Sequence, residues 1–345
     1  MIIIISDVLK NLCIADGVSG FEYNISNIIL EYFKKLTDEA YIDKMGNIIG
    51  IKRAKSFSAK KIMIDAHYDE IGLIVTGVHD DGFLSVSNLG GVDKKLCLSS
   101  EVTVYGKNPL YGVIATKPPH LTTDEEMKKP VDIKDFVVDI GFDGCKAKEL
   151  VSVGDMVSFN SQIYDMPNGL VCGKALDDRA GVACIISLLE FIKNKKLDVE
   201  LYVVASVSEE VGCRGAKTAA YGIEADECVI LDVTFAKTHD YKKCDAFELG
   251  GGPVLGYCPV TNKKMFNSFK NICEKNKIDY QTEVSSGYSG TDTGVIFKTK
   301  NGVKCINISI PQRYMHSQIE VVSVDDIENI AKLISLYLKS EEATK

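Results

Sequence analysis

The chain has 345 residues, of which 46% are hydrophobic and 26% are charged, and its formal net charge at pH 7 is −8. This length favours about two domains, and the composition is that of an ordinary globular protein. The acidic balance argues against a nucleic-acid partner, which would require a basic face, and no apolar run approaches the roughly 18 residues of a membrane span.

The amino terminus and the cysteines bear on the cellular compartment. The first residues, MIIIISDVLK, form a short apolar run without the basic flank of a secretory signal. The eleven cysteines are scattered, contain no CxxC pair and lie mostly in apolar surroundings, as at Cys184 and Cys305. We therefore expect reduced thiols in a cytoplasmic protein, with neither a disulfide framework nor a thiolate zinc site.

The first predicted elements are helices over residues 6–36, interrupted at GVSGFE (17–22), and a buried strand at KIMIDA (61–66). From about 73 to 163 the pattern changes to short apolar runs separated by glycines and turns. This spacing predicts a small β-barrel or sandwich. A charged loop with prolines interrupts the region at residues 117–130.

Helices and strands alternate in the last half of the chain. The segment 177–196 has apolar residues at helical spacing, with acids at its start and lysines at its end, as the helix dipole favours. Strands are predicted at 201–206, 228–233 and 304–310, with helical stretches between them. This alternation predicts a mainly parallel sheet with helices on both faces.

The domain organisation follows from these two patterns. We expect one α/β domain formed by residues 1–72 and 164–345, and a small β-domain inserted between the two parts at residues 73–163.

The ends of the predicted strands and the start of one predicted helix carry histidines and carboxylates. In open α/β sheets, ligands collect at the carboxyl ends of the strands, so these side chains are expected to meet at one edge. Without a cation, such a cluster would destabilise the fold through repulsion and desolvation. The residues are His67, Asp69, Glu70, Asp177, Asp178, Glu209, Glu210, Asp232 and His316.

A pair of divalent ions would resolve this repulsion. Asp177 can bridge two ions about 3.5–4 Å apart. His67 and Glu210 would complete the ligands of one ion, and Asp232 with His316 those of the other. Nitrogen and oxygen ligands of this kind suit zinc or cobalt.

The adjacent glutamates Glu209 and Glu210 receive different roles. Neighbouring side chains of an extended chain point in opposite directions, so Glu210 can bind an ion while Glu209 remains free as a general base on water. Asp69 follows His67 by two residues, on the same side of an extended chain, where it can orient the imidazole.

Each of these features also has a purely structural interpretation. A single histidine after a strand is more often structural, adjacent acids such as Asp177 and Asp178 are most often helix caps, and adjacent glutamates are often a solvated strand exit. Only the joint pattern, in the order expected of one sheet edge, favours a metal site. We assign no role to His79, His120 and His239, which lie in turn-like or charged stretches.

Five segments carry a resemblance to a known family. They are HYDEIGLIV (67–75), GKALDDRAGVA (173–183), SVSEEVGCRGA (206–216), LDVT (231–234) and RYMHSQIEVVS (313–323). With GVSGFE and KPPHL, they resemble the tetrahedral (TET) dinuclear aminopeptidases, family forty-two of the metallopeptidases, which includes glutamyl, leucyl and lysyl aminopeptidases. The likeness covers essentially the whole chain.

The resemblance implies a metallo-aminopeptidase that acts on short peptides and binds two divalent ions, zinc or cobalt, in each subunit. It implies Glu209 as the base, Asp69 as its support and a cis Asp177–Asp178 peptide. The implied metal ligands are His67, Asp177, Glu210, Asp232 and His316.

The same resemblance implies a homo-oligomer, in which the inserted domain mediates dimerisation and dimers assemble into a dodecamer. The segment SGYSGTDTG (286–294) is similar to a glycine-rich loop near the substrate pocket. The residues expected to contact substrate are Gly290, Thr291, Asp292 and Arg313.

Three other functions compete with this interpretation. GYSGT (287–291) nearly matches the G-x-S-x-G nucleophile elbow of serine hydrolases, but Thr291 replaces the last glycine and no apolar strand precedes the segment. A non-catalytic metal-binding scaffold would need the ligands but not Glu209. A related carboxypeptidase, or a deacylase of amino-acid conjugates, would share the ligand chemistry, and only the inserted domain counts against it.

Overall fold

The computed structural model of the protein describes residues 4–56, 58–117, 119–123, 132–239, 246–287 and 290–344. Most of the predicted charged loop, and Tyr288 and Ser289 of the near-match to a serine-hydrolase elbow, lie outside the described residues. Over the described ranges, no helix has the length and apolar character needed to cross a bilayer.

The helices are α1 (Ile5–Ile14), α2 (Tyr23–Leu36), α3 (Lys94–Cys97), α4 (Gly144–Leu150), α5 (Leu176–Ile192), α6 (Arg214–Ile223), α7 (Lys263–Asn276), α8 (Thr293–Ile296), α9 (Val324–Tyr337) and α10 (Glu341–Thr344). Short 3-10 helices occur at Pro119–Leu121, Ile133–Asp135 and Pro167–Gly169. The strands are β1 (Glu39–Ile42), β2 (Ile48–Lys52), β3 (Lys61–His67), β4 (Gly72–Val78), β5 (Leu84–Leu89), β6 (Glu101–Tyr105), β7 (Pro109–Ala115), β8 (Val137–Asp139), β9 (Met156–Phe159), β10 (Tyr164–Met166), β11 (Leu170–Gly173), β12 (Glu200–Ser206), β13 (Glu227–Phe235), β14 (Val254–Tyr257), β15 (Gln281–Val284), β16 (Lys304–Arg313) and β17 (Glu320–Ser323).

The main sheet has eleven strands, and nine of them follow the order β1-β2-β12-β3-β13-β16-β17-β11-β10. Strands β14 and β15 join it through β16. The central strands β12, β3, β13 and β16 run parallel to one another, and antiparallel pairs form the two edges. The central strands are nearly continuous apolar runs because they are buried on both faces. The predicted α/β fold with a large sheet of this kind is confirmed.

Helix α5 lies in the core beside the sheet. Every residue from Leu176 to Leu189 is buried, because α1, α9 and β3 all pack against this helix. Its Arg179 is fully buried and donates hydrogen bonds to the backbone oxygen of Leu12 at 2.8 Å and to Glu70 Oε1 at 3.1 Å. These bonds fix the amino-terminal end of α5, where the predicted metal ligand Asp177 lies.

Glu70 belongs to a network of buried ion pairs. Besides Arg179, it accepts hydrogen bonds from Lys174 Nζ at 2.8 Å, and the same ammonium reaches Asp16 at 2.7 Å. Buried charges are tolerated when they are paired in this way. Glu70 therefore holds the loop after β3 against α5 rather than contributing to the cluster at the strand ends.

Strands β4 to β9 form a closed barrel in the order β4-β5-β8-β7-β6-β9, with a hydrophobic core of its own. The predicted small β-barrel is therefore present, and its strands lie between residues 72 and 159. After β5 the chain reaches the main sheet at Gly90 and Gly91. A Cβ atom at Gly91 would lie 2.6 Å from His316 Nδ1, so only glycine permits this close approach.

Candidate metal centre

Strands β3 and β13 place His67 and Asp232 side by side. These neighbouring strands are parallel, and their register aligns Asp65 with Ile230. Two residues further along each strand, the side chains of His67 and Asp232 therefore point to the same face. Both residues are buried, and their ligand atoms lie with an oxygen of Asp177 inside a group spanning at most 4.8 Å.

Asp177 lies between the two predicted histidine ligands. Its Oδ1 is 3.1 Å from His67 Nε2, and its Oδ2 is 3.3 Å from His316 Nε2. The backbone before it is left-handed at Ala175 (φ 57), and the Asp177–Asp178 peptide bond is cis, as the family resemblance implied. The two oxygens of one carboxylate thus face two separate sets of ligands.

The second set consists of Asp177, Glu210 and His316, whose ligand atoms also lie within 4.8 Å of one another. His316 Nε2 is 3.4 Å from Glu210 Oε1. These two side chains come from the loops that follow β12 and β16, and they meet beside Gly90 and Gly91 of the barrel.

The pairing of ligands expected from the sequence is therefore corrected. His67 is grouped with Asp232 instead of Glu210, and Glu210 is grouped with His316. The physical reason is that His67 and Asp232 lie on adjacent strands, whereas Glu210 and His316 lie on loops extending beyond the sheet edge. Chain order reveals which residues reach this edge but not which strands are neighbours.

Asp69 supports both His67 and the paired glutamates. It is fully buried, and its Oδ1 is 3.5 Å from His67 Nδ1. The backbone N–H groups of Glu209 and Glu210 donate to its two oxygens at 3.0 and 3.2 Å, and Ser19 donates its hydroxyl at 2.5 Å. One carboxylate thus lies beside the imidazole and fixes the direction in which the two glutamates leave the strand.

Glu320 supports the other side of the centre, and sequence reasoning did not identify it. The backbone N–H groups of His316 and Asp177 donate to its two oxygens at 2.9 and 3.1 Å. It is buried, and burial raises its pKa well above the ordinary value. Its only signal in the sequence is its place in the segment RYMHSQIEVVS, four residues after His316.

The electrostatics of the cluster fit divalent cations. Burial raises the pKa of Glu210 to about 7 and that of Asp232 well above its ordinary value, because these carboxylates leave water without a full complement of positive partners. Burial also opposes ionisation of Asp177, but hydrogen bonds from His316 and His67 hold its pKa below the ordinary value. Imidazole nitrogens and carboxylate oxygens in two groups sharing one carboxylate are a donor set suited to zinc, cobalt or manganese.

An open cavity of about 620 Å³ adjoins both ligand groups. Glu209 lines this cavity and belongs to neither of these two groups. Its carboxylate lies within 4.8 Å of ligand atoms of Cys213 and Asp292, and its Oε1 accepts a hydrogen bond from the Cys213 thiol at 3.2 Å. Burial raises the pKa of Glu209 to about 8. A carboxyl group with this pKa can accept and return a proton near neutral pH.

The four residues expected to bind substrate are divided by the structure. Gly290 and Thr291 line the cavity. Asp292 is buried and accepts a hydrogen bond from the Ser206 hydroxyl at 3.1 Å, and Arg313 donates through Nε to the backbone oxygen of Lys237. The assignment of all four residues to substrate binding stays a prediction.

Comparisons with known proteins identify the family. The model of the protein family described as M42 glutamyl aminopeptidase matches residues 46–333 of this chain. Lysyl aminopeptidase from Pyrococcus furiosus is 32% identical over 339 residues, which cover 96% of each chain. The structure of a TET aminopeptidase from a marine sediment Thaumarchaeota archaeon superposes with a TM-score of 0.93 at 32% identity, covering 99% of this chain and 98% of that one.

A further solved structure concerns assembly. The TET1 peptidase of Pyrococcus horikoshii, described as able to assemble into a tetrahedron or a large octahedral shell, has a TM-score of 0.84 at 30% identity and covers 97% of this chain and 99% of its own. The family match and the full-length relatives agree with the signature segments found in the sequence. The chain therefore belongs to the M42 family of metal-dependent aminopeptidases and is a peptide hydrolase.

Proposed function

We propose that the chain removes amino-terminal residues from short peptides at a centre of two divalent ions, zinc or cobalt, with Glu209 as general base. The observation that carries the proposal is the arrangement of two ligand groups that share Asp177, beside a carboxylate that belongs to neither. That additional carboxylate, Glu209, is the group a non-catalytic metal site would not need.

The residues that would hold the ions fall into the same two groups, one for each ion. One ion would be held by His67, Asp177 and Asp232, and the other by Asp177, Glu210 and His316. When bound, divalent ions supply Lewis acidity, which polarises the scissile carbonyl and lowers the pKa of the attacking water. Asp69 would keep the His67 imidazole and the Glu209–Glu210 backbone in place during this reaction.

Glu209 would move the proton. Its carboxylate would take a proton from the attacking water and deliver that proton to the nitrogen of the leaving amine. The Cys213 thiol donates to Oε1 of the side chain, and Asp69 accepts the backbone N–H of Glu209, so both the side chain and the backbone of this residue have a hydrogen-bond partner.

The proposal predicts specificity for one end of the peptide. If the free α-amine is held beside the ligand groups, acetylation of a peptide's amino terminus should abolish cleavage, whereas amidation of its carboxyl terminus should leave cleavage intact. Mass spectrometry of the products from matched acetylated and amidated peptides provides the measurement. Cleavage of the acetylated peptide but not the amidated one would assign the enzyme to carboxypeptidase chemistry instead.

We also propose that the inserted domain (73–163) mediates dimerisation of a catalytic domain formed by residues 1–72 and 164–345. Apolar side chains that would favour a partner surface are exposed on the barrel and the turns beside it, including Tyr111, Phe142 and Val153.

The assembly proposal predicts a dodecamer of the 37.8 kDa chain, or dimers in equilibrium with it. Light scattering with and without added metal measures the mass. A protein that stays monomeric under both conditions would contradict the proposal.

A further inference from the structure

One carboxylate of the cavity, Glu283, has no place in the chemistry proposed above. It lies on β15, is half-buried and lines the cavity. The hydroxyl of Thr234 donates to its Oε1 at 3.3 Å, and no ion pair with Glu283 occurs among the described residues. Burial raises its pKa, because the carboxylate leaves water without gaining a cation.

The charge of this carboxylate is not balanced by the rest of the cavity. The described part of the lining contains no lysine and no arginine, and its one histidine, His316, is a proposed metal ligand. Three lining carboxylates, Asp177, Glu210 and Asp232, would be neutralised by the ions, and Glu209 is the proposed base. Glu283 would then remain as a negative charge available to a substrate.

The position of Glu283 suits the far end of a long side chain. Its hydrogen-bond partner Thr234 follows the proposed ligand Asp232 by two residues on β13, which is about 7 Å along the strand. A substrate whose first carbonyl lies at the ligand groups would therefore need an extended side chain to reach Glu283.

The strand beside Glu283 lines the same cavity, which offers both polar and apolar surface to that side chain. In the register of β14 and β15, Gly256 is paired with Glu283, and paired residues of parallel strands point to the same face. Gly256 also lines the cavity and packs against Asn307, whose backbone oxygen would lie 3.2 Å from a Cβ atom at this position, and Tyr257 and Met315 supply apolar surface elsewhere in the cavity. A lysine or arginine side chain has this character, with an apolar stem and a charged end.

We propose that Glu283 is the recognition site for the side chain of the substrate's first residue, and that the enzyme prefers peptides beginning with lysine or arginine. The inference rests on the proposed aminopeptidase function and adds its substrate class. An acidic first residue would place a like charge against Glu283 and would be disfavoured.

The test compares four aminoacyl 7-amido-4-methylcoumarin substrates: lysyl, arginyl, norleucyl and glutamyl. Norleucine keeps the four-carbon stem of lysine and lacks its charge. We expect kcat/KM for the lysyl substrate to exceed that for the norleucyl substrate about ten- to a hundredfold, the range for a hydrogen-bonded charge in a partly desolvated site. The glutamyl substrate should be the poorest of the four.

Two variants assign this preference to Glu283. In Glu283→Gln the ratio of lysyl to norleucyl kcat/KM should fall to about one, and in Glu283→Lys the glutamyl substrate should overtake the lysyl one. The matched control is Glu248→Gln, the same change at an exposed carboxylate outside the cavity that pairs with Lys237. This control should keep the wild-type ratio.

The outcomes distinguish the proposed recognition of the side chain by Glu283 from the proposed aminopeptidase activity. A wild-type enzyme that hydrolyses norleucyl or glutamyl substrates as well as lysyl ones would contradict the proposed recognition by Glu283. The proposed aminopeptidase activity would still stand. A Glu283→Gln variant that keeps the wild-type ratio would equally contradict the recognition by Glu283. Hydrolysis of none of the four substrates would contradict the proposed function itself, and the recognition by Glu283 with it.

Discussion

Glu209→Gln is expected to retain both metal ions and lose about a hundredfold or more in turnover, the scale on which general bases contribute. Glutamine keeps the size of the side chain but cannot take a proton from water. Because Glu209 belongs to neither proposed ligand group, its replacement should leave the affinity for both ions near the wild-type value. Elemental analysis beside steady-state rates, at low and at saturating metal, measures both properties on one preparation.

Glu210→Gln is the matched variant, because it makes the same change at the adjacent residue. It should weaken the ion that Glu210 shares with His316, and excess metal should partly restore activity. If Glu209→Gln loses metal while Glu210→Gln keeps it and is inactive, the two roles are exchanged. If both variants turn over at near-normal rates, the adjacent glutamates are only a solvated strand exit.

Removal of divalent ions is expected to abolish peptide hydrolysis, and added zinc, cobalt or manganese should restore it in part. The four unshared ligands should then fall into two classes by metal content. His67→Ala and Asp232→Asn should both weaken one ion, whereas His316→Ala and Glu210→Gln should both weaken the other.

Titration of each metal-free variant with zinc, followed by elemental analysis, measures the number of ions retained. An exposed histidine outside the centre, His239, provides a control, and His239→Ala should keep the wild-type content. Full activity in a preparation without bound metal would contradict the proposed mechanism.

Much of this centre could be predicted from the sequence because parallel strands end at a common edge. His67 and Asp232 each fall at or near the end of a buried strand, so their convergence required only the recognition of two apolar runs. The barrel was predictable for a similar reason, since short apolar runs separated by glycine turns seldom form helices. Local patterns of this kind are properties of short segments and survive in the fold.

Features that depend on strand order could not be predicted in the same way. The grouping of the ligands requires the knowledge that β3 lies between β12 and β13, which is a matter of long-range pairing. The close approach of Gly91 and His316 joins the segment after β5 to the loop after β16, which are distant in the chain. Glu283 gave no signal either, because a single glutamate on a short edge strand is usually solvated.

Asp292 differs from its neighbours in a way that the sequence did not indicate. Its neighbours Gly290 and Thr291 do line the cavity, and a glycine-rich segment is typical of an exposed loop. The chain turns into α8 directly after Asp292, however, and this turn carries the carboxylate beneath the strand ends to Ser206. Side-chain direction at the start of a short helix is set by packing that the segment alone does not reveal.

The proposed pair of divalent ions is tested most directly by anomalous X-ray diffraction, at the zinc absorption edge, from crystals of the zinc-loaded protein. Two anomalous peaks are expected in each chain, with Asp177 between them, one beside His67 and Asp232 and the other beside Glu210 and His316. A single peak, or two peaks elsewhere in the chain, would contradict the shared centre from which the whole mechanism is derived.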